Sequence, residues 1–168
     1  MKDILYAPWR TAYIGGEKIE GCVFCHISSH PEKEEELHVL YRDAHCFVVM
    51  NKYPYTPGHF MIIPHRHTDR LEELESESWL RMSALAQCGV RLLKEGFGAE
   101  GVNIGMNLGK AGGAGIAEHI HMHLVPRWER DTNFITAIAG TRVYSTDFEK
   151  IYRRIKAEIP AYFKGLPC

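Results

Sequence analysis

The sequence predicts an α+β fold: a five-stranded antiparallel sheet, one long helix packed on it, and a second helix near the C-terminus. Three features predict it. Short runs rich in β-formers, each closed by turn residues, recur through residues 38–63. Apolar residues recur at three- and four-residue spacing over 77–95. In His119-Ile120-His121-Met122-His123-Leu124-Val125-Pro126, period-two alternation sends three imidazoles to one face of a strand and Ile120, Met122 and Leu124 to the other.

The chain has 168 residues, 45% of them hydrophobic, enough to bury an ordinary core as one domain. Residues 1–21 read as an irregular N-terminal arm and 140–168 as a C-terminal helix and tail. A net charge of −1 argues against a nucleic-acid-coating surface or a polybasic membrane anchor, and no apolar run reaches the length of a membrane span. Met1-Lys2-Asp3-Ile4-Leu5 lacks a signal-peptide core, which points to the cytoplasm. Five cysteines, an odd number, do not complete a disulfide framework and are expected as thiols or metal ligands.

Taken in order, Tyr6, Trp9 and Tyr13 of the arm are expected to pack against the core or another subunit, and Arg10 to be solvated. Cys22-Val23-Phe24-Cys25 sets two thiols three positions apart. They are a metal-gripping pair, a redox pair or two ordinary thiols, with His26, His30, His65, His67 and His119 as the imidazoles in supply. Glu32 to Glu36 reads as a solvated loop. Residues 38–41, 46–50 and 59–63 follow as strands of an antiparallel meander. Asn51, Pro54, Pro57 and Gly58 turn the chain between the second and third, and Pro64 stops the third. Ser76 suits the N-cap of the long helix and Gly96 its end. Its stripe of Trp79, Met82, Leu85, Ala86, Val90 and Leu93 reads as core, with Cys88 sharing it.

Residues 101–107 are the fourth strand. Leu108 to Gly115 is a glycine-rich loop, whose glycines let backbone N–H groups converge on an anion, with Lys110 adding charge. The plain alternative is a flexible hairpin loop. The histidine run is the fifth strand, closed by Pro126. Asp147 starts and Pro160 limits the last helix, with Phe148, Ile151, Tyr152 and Ile155 on one stripe and Cys168 in a loose tail.

A histidine of near-neutral pKa is a nucleophile toward activated phosphorus, provided it is neutral and its other nitrogen donates to a carbonyl or carboxylate. A neighbouring histidine can then hold the phosphate oxygens or the bridging oxygen. Three histidines on one strand face supply that geometry without a metal at the reacting phosphate.

The run His119-Ile120-His121-Met122-His123-Leu124-Val125 resembles the signature of the histidine triad family of nucleotidyl hydrolases and transferases. Leu5-Tyr6-Ala7-Pro8-Trp9-Arg10, Val125-Pro126-Arg127-Trp128 and Asp131-Thr132-Asn133-Phe134 are similar to one bacterial branch, the diadenosine tetraphosphate phosphorylases or ATP adenylyltransferases. The resemblance spans residues 5–138. It implies His121 as the nucleophile that takes AMP, His123 on the phosphate and bridging oxygen, His119 orienting the site, and His59 supporting the triad from the third strand. It implies Asn51 at the ribose hydroxyls and Asn107 with the backbone of Gly113, Ala114 and Gly115 at the phosphates. Trp128 would shape the pocket for the acceptor or leaving nucleotide.

In zinc-bearing members of the family the ligand positions match Cys22, Cys25, His67 and His119, which implies a structural Zn²⁺. The resemblance also implies a homodimer joined through the long helix and a strand. Apart from it, His59 reads as a half-buried histidine, Asn51 as a turn residue and Trp128 as a packing aromatic. One departure stands out: many members carry glutamine or serine where this chain has Gly115, so only backbone contacts remain there. The expected reaction is cleavage of a dinucleoside polyphosphate with inorganic phosphate as acceptor. The alternatives are a hydrolase of diadenosine polyphosphates or AMP amidates using water, and a nucleotide-binding sensor.

Overall fold

A computed structural model of the chain describes residues 21–129, 131 and 146–164. The aromatic residues and Arg10 of the arm, Thr132 to Phe134 and Cys168 lie outside the described residues. The sheet has five antiparallel strands, as the alternation predicts: β1 (Val39–Arg42), β2 (Cys46–Met50), β3 (Phe60–Pro64), β4 (Gly101–Met106) and β5 (Met122–Arg127). Their spatial order is β1-β2-β3-β5-β4, so the meander of the first three strands holds and the histidine-bearing strand lies inside the sheet, between β3 and β4.

Alternation along the strands divides the core in two. Val48, Met50, Phe60, Ile62, Met122 and Leu124 face α2 (Ser76–Arg91) and α3 (Phe148–Phe163). Phe47, Val49, Met61 and Ile63 face α1 (Val23–Ser29) through Phe24 and Ile27. The sequence pattern does not reveal α1, a seven-residue helix too short to show an apolar stripe. It is the element that brings the cysteine pair onto the sheet.

Several boundaries differ for identifiable reasons. Ser76 lies inside α2, and Glu75 is the N-cap. The end of α2 widens into a π-helical turn over Leu92–Gly96, closed by the Phe97 N–H on the Leu92 carbonyl at 2.9 Å. That turn lets the adjacent Leu92 and Leu93 both be fully buried. Trp79, expected in the core, is 38% exposed, because the sheet beneath the helix ends at β4 and the apolar stripe runs past its edge.

Pro126 does not close β5; it pairs with Val102 inside it. In a strand the N and C=O of one residue point to the same side. The Pro126 carbonyl accepts from the Thr56 hydroxyl at 2.8 Å, on the side where pairing with β3 has already ended at Phe60–Leu124. Its missing N–H therefore costs no ladder bond.

Asp147 caps α3 as expected, accepting from the Lys150 N–H at 3.2 Å. Pro160 sits inside that helix instead of ending it: burial of Ile159 and Phe163 carries the last turn past one lost hydrogen bond. From α3, Lys156 donates to the carbonyls of Val39 and Leu40 at 2.7 and 2.9 Å, covering part of the outer edge of β1. No helix among the described residues is long and apolar enough to cross a membrane.

Helix α2 approaches the sheet closely at Gly89, where a Cβ would stand 2.7 Å from Leu124 Cδ2 and 2.9 Å from Phe60 Cζ. Leu124 and Phe60 are both fully buried in close-packed surroundings and have little room to yield. Gly89→Val is expected to destabilise the fold by about 1–3 kcal/mol in denaturant titration, the range for overpacking. An unchanged midpoint would mean that helix and sheet have slack at this point.

Candidate active site and metal cluster

The histidine face of the sheet is built from five segments: the chain before β5, β5 itself, the residue before β3, the residues after β3, and α1 with its N-cap. Only His123 of the triad lies within the β5 ladder. His119 to His121 precede it, held instead by the Ile120 N–H on the Thr68 carbonyl at 2.9 Å. Alternation still places the rings. Ile120, Met122 and Leu124 enter the helix-side core, while the His121 and His123 rings meet at 4.9 Å on the opposite face.

Hydrogen-bond partners assign each imidazole a tautomer. His121 Nδ1–H donates to the His119 carbonyl at 2.8 Å, which leaves the Nε2 lone pair free. His119 Nε2–H donates to the Pro64 carbonyl at 2.9 Å, which leaves its Nδ1 lone pair free. His59 Nδ1 accepts the Tyr55 N–H at 3.1 Å, so its Nε2–H donates to His123 Nδ1 at 2.9 Å. His123 in turn carries its hydrogen on Nε2. The result is one imidazole with an unshared pair beside another presenting an N–H.

Burial keeps this group neutral. It lowers His59 from the usual 6.5 to about 3, with His123 and then His121 adding to the shift, and lowers His123 to about 4, with His121 second. Burial also lowers His121, against the opposing bond to the His119 carbonyl, and lowers His119.

Of the residues expected at the nucleotide, Asn107 lines a cleft of about 310 Å³ beside His123, together with Tyr55, Asn103, Gly105 and Arg127. The Asn51 amide nitrogen lies 3.3 Å from both ring nitrogens of His59, and its oxygen accepts the Tyr53 N–H at 2.9 Å, a local turn. In the glycine loop, the N–H groups of Gly112, Gly113 and Ala114 close turns on Gly109 and Lys110; the Gly115 N–H makes no such bond among the described residues. The structure sets Trp128 apart from the histidines. Its ring packs edge-on against Phe97 at 5.9 Å, and its indole N–H donates to the Gly98 carbonyl at 2.8 Å.

Cys22, Cys25, His67 and His119 come together: one ligand atom from each lies within 4.8 Å of the others, a cluster that could hold a metal ion. His119 Nδ1 is 3.5 and 3.7 Å from the sulfurs of Cys22 and Cys25, and His67 Nδ1 is 3.2 Å from Cys25. The competing imidazoles go elsewhere. His65 takes Ser28 and the Asp43 carbonyl, and His26 stacks on His30 at 4.3 Å. Burial first, then the adjacent Cys22, raises the Cys25 thiol above its usual 9.0. A cation between the two sulfurs would reverse that preference.

Two residues escaped the sequence reading. Phe24, inside the cysteine pair, contacts the rings of His119 and His121 at 5.5 and 5.0 Å. Tyr55 fixes the His59 tautomer through its backbone N–H, a role that no side-chain pattern can reveal.

An imidazole with an unshared pair, an N–H donor beside it and an adjoining Cys/His cluster thus share one face of an α+β sheet, an arrangement suited to nucleotide processing. Residues 32–130 match the HIT domain family, and the chain belongs to that family. It is 42% identical over 110 residues to an AP-4-A phosphorylase of Mycobacterium tuberculosis, an alignment covering 66% of this chain and 56% of that protein's length. The chain is also 29% identical over 146 residues to the adenylylsulfatase HINT3 of Arabidopsis thaliana, covering 87% of this chain and 71% of the relative. The fold superposes on a Zn-bound histidine triad family protein from Mycobacterium smegmatis with TM-score 0.68 and 32% identity, covering 84% of this chain and 94% of that one.

Buried neutral histidines tie stability to pH. A folded-state pKa below the unfolded value of about 6.5 contributes stability that is fully present above that pH and lost as pH falls toward 4 and 3. His59→Gln keeps an acceptor for the Tyr55 N–H without a titrating group. It is expected to give a shallower fall in melting temperature between pH 6.5 and 4 than the unaltered chain. Parallel profiles would show that His59 does not titrate on unfolding.

Proposed function

We propose that this chain is a nucleotidyl transferase that cleaves diadenosine polyphosphates through an AMP–histidine intermediate, with inorganic phosphate as acceptor. The observation that carries the reading is the His121 Nδ1–H bond to the His119 carbonyl, which fixes Nε2 as a free nucleophile. The Nε2 lone pair attacks the α-phosphorus and the bond from phosphorus to the bridging oxygen breaks. That oxygen leaves as an anion on the departing nucleotide, hydrogen-bonded to His123 Nε2–H, so a neutral His123 suffices. Phosphate then attacks the same phosphorus, the N–P bond breaks and His121 is restored. Diadenosine tetraphosphate thus yields ATP first and ADP second.

Asn107 and the Gly115 N–H would hold the phosphates, and Asn51, whose amide nitrogen lies beside His59, would hold the ribose hydroxyls. The likeness to the AP-4-A phosphorylase supports phosphate as acceptor, although the chain spans little more than half of that relative. The adenylylsulfatase likeness supports a second reading, in which the same His121 chemistry serves another adenylated acid with water as acceptor.

The Cys/His cluster fits Zn²⁺. Zinc–sulfur bonds of about 2.3 Å and zinc–nitrogen bonds of about 2.0–2.1 Å in a tetrahedron put ligand atoms about 3.3–3.8 Å apart. The separations of 3.2, 3.5 and 3.7 Å fall in or next to that range. When bound, the ion would be structural, closed by four protein ligands. A homodimer through α2 and the edge strand β4 is supported by a cleft of about 440 Å³ lined by Trp79, Val90, Ile104 and Met122, with Ile104 49% exposed. Free cysteines at 22, 25, 46 and 88 are in keeping with a cytoplasmic setting.

His121→Asn is expected to reduce turnover of diadenosine tetraphosphate by at least about a thousandfold. In the unaltered protein, quenched reactions should carry the AMP label on His121, and ADP should form only when phosphate is present. Label on another residue would overturn the nucleophile; AMP formed without phosphate would make water the acceptor. Separately, Cys22→Ser should lose close to one zinc per chain by metal analysis and melt at lower temperature. Full zinc retention would overturn the ligand set.

A further inference from the structure

From His123 the histidine face continues into the cleft of about 310 Å³, whose lining residues the reaction above does not use apart from His123 and Asn107. Its floor is the β4–β5 ladder. Gly105 pairs directly with His123, and directly opposed residues project to the same side of the sheet. A side chain at 105 would therefore stand beside the imidazole that meets the bridging oxygen. The chain has glycine there, and a Cβ built on it meets nothing within 4 Å. Its backbone φ is not of the left-handed kind that would call for glycine. A bare glycine inside a strand weakens the strand and often marks close approach by a ligand.

The far end of the cleft is polar. Arg127, four residues along the strand from His123 and so on the same face, stands about 13 Å away in Cα distance. Its Nε and Nη2 donate to the two Asp131 oxygens at 2.5 and 2.8 Å, and its Nη1 donates to Asn103 Oδ1 at 2.9 Å. A guanidinium carries five N–H donors; three are committed here, which fixes the plane of the group and leaves two. Tyr55, 53% exposed, forms a side wall, its ring 6.0 Å from that of His123.

We propose that this cleft is the subsite for the leaving half of the substrate, a nucleoside polyphosphate lying across Gly105 with its distal polar groups on Arg127 and Asn103. Arg127 is a specificity residue for a two-nucleotide substrate; it takes no part in bond breaking. The proposal rests on the nucleotidyl-transfer reading, and the test separates the two.

Steady-state kcat/KM is measured for diadenosine tetraphosphate and for adenosine 5′-phosphoramidate, whose leaving group is a single nitrogen. Gly105→Val and Arg127→Gln are compared with the unaltered protein. In each variant the ratio of the tetraphosphate value to the phosphoramidate value is expected to fall at least tenfold. Gly105→Val should melt no lower than the unaltered chain, because a β-branched residue suits an open strand position; a merely structural glycine predicts no change in the ratio. A ratio held within twofold in both variants, or equal losses on both substrates, overturns the subsite alone. Failure of the unaltered protein to turn over either substrate overturns the transfer reading, and the subsite with it.

Discussion

The hydrogen bond from His121 Nδ1 to the carbonyl of His119 is the constraint on which the site depends. Without it the imidazole could present either nitrogen as the donor, and its lone pair would have no fixed direction. The carbonyl is well placed because its own residue is held from two sides. The His119 ring donates to Pro64 through one nitrogen and faces the cysteine pair with the other. The Cys/His cluster is therefore linked through His119 to the His121 imidazole. Whatever holds the cluster together also holds the peptide that orients the His121 ring. Phe24, in edge contact with His119 and tilted against His121, packs along the same line.

The second half of the machinery is oriented from the other end of the sheet. His59 sits immediately before β3 and is fully buried. Its tautomer is set by the Tyr55 backbone and its hydrogen is passed to His123 as an orienting bond. Pairing of Met61 with His123 and of Phe60 with Leu124 fixes the separation of the two strands, so the relay is a consequence of register. A one-residue slip would turn His123 into the helix-side core and Leu124 onto the histidine face.

Much of this was legible in the sequence because it depends on period. Alternation in 119–125 correctly separated the histidines from Ile120, Met122 and Leu124 even though the ladder begins only at Met122. Spacing found α2, and Asp147 marked the start of α3. What was not legible depended on partners distant in the chain. Pro126 looked like a strand terminator until its unpaired side proved to face Thr56. Trp79 looked like core because periodicity cannot show where the sheet beneath a helix ends. The cysteine pair left open which imidazoles join it, a choice that the Ser28 and Asp43 contacts of His65 and the mutual stacking of His26 and His30 decide in three dimensions. The position of Trp128 against Phe97 likewise follows from tertiary packing alone.

Neutral histidines create a tension that shapes the rest of the face. Burial lowers the pKa of His59 and His123 far enough that neither is protonated near neutrality, which preserves the free lone pair and the N–H relay. The same burial withholds positive charge from the face on which a polyphosphate is proposed to lie. Negative charge there has to be met by dipoles and by cations set back from the reacting centre. In the proposed reading the Gly115 N–H and the Asn107 amide are dipoles of that kind, and Arg127 is a cation four residues along the strand from His123, about 13 Å away in Cα distance. Its charge is partly balanced by Asp131, so in the proposed subsite it would hold a polar group by directed N–H bonds with little effect on the potential at His121. A cation at one end of the cleft and neutral imidazoles at the other would, in the proposed reaction, let the site bind an anion while His121 stays unprotonated.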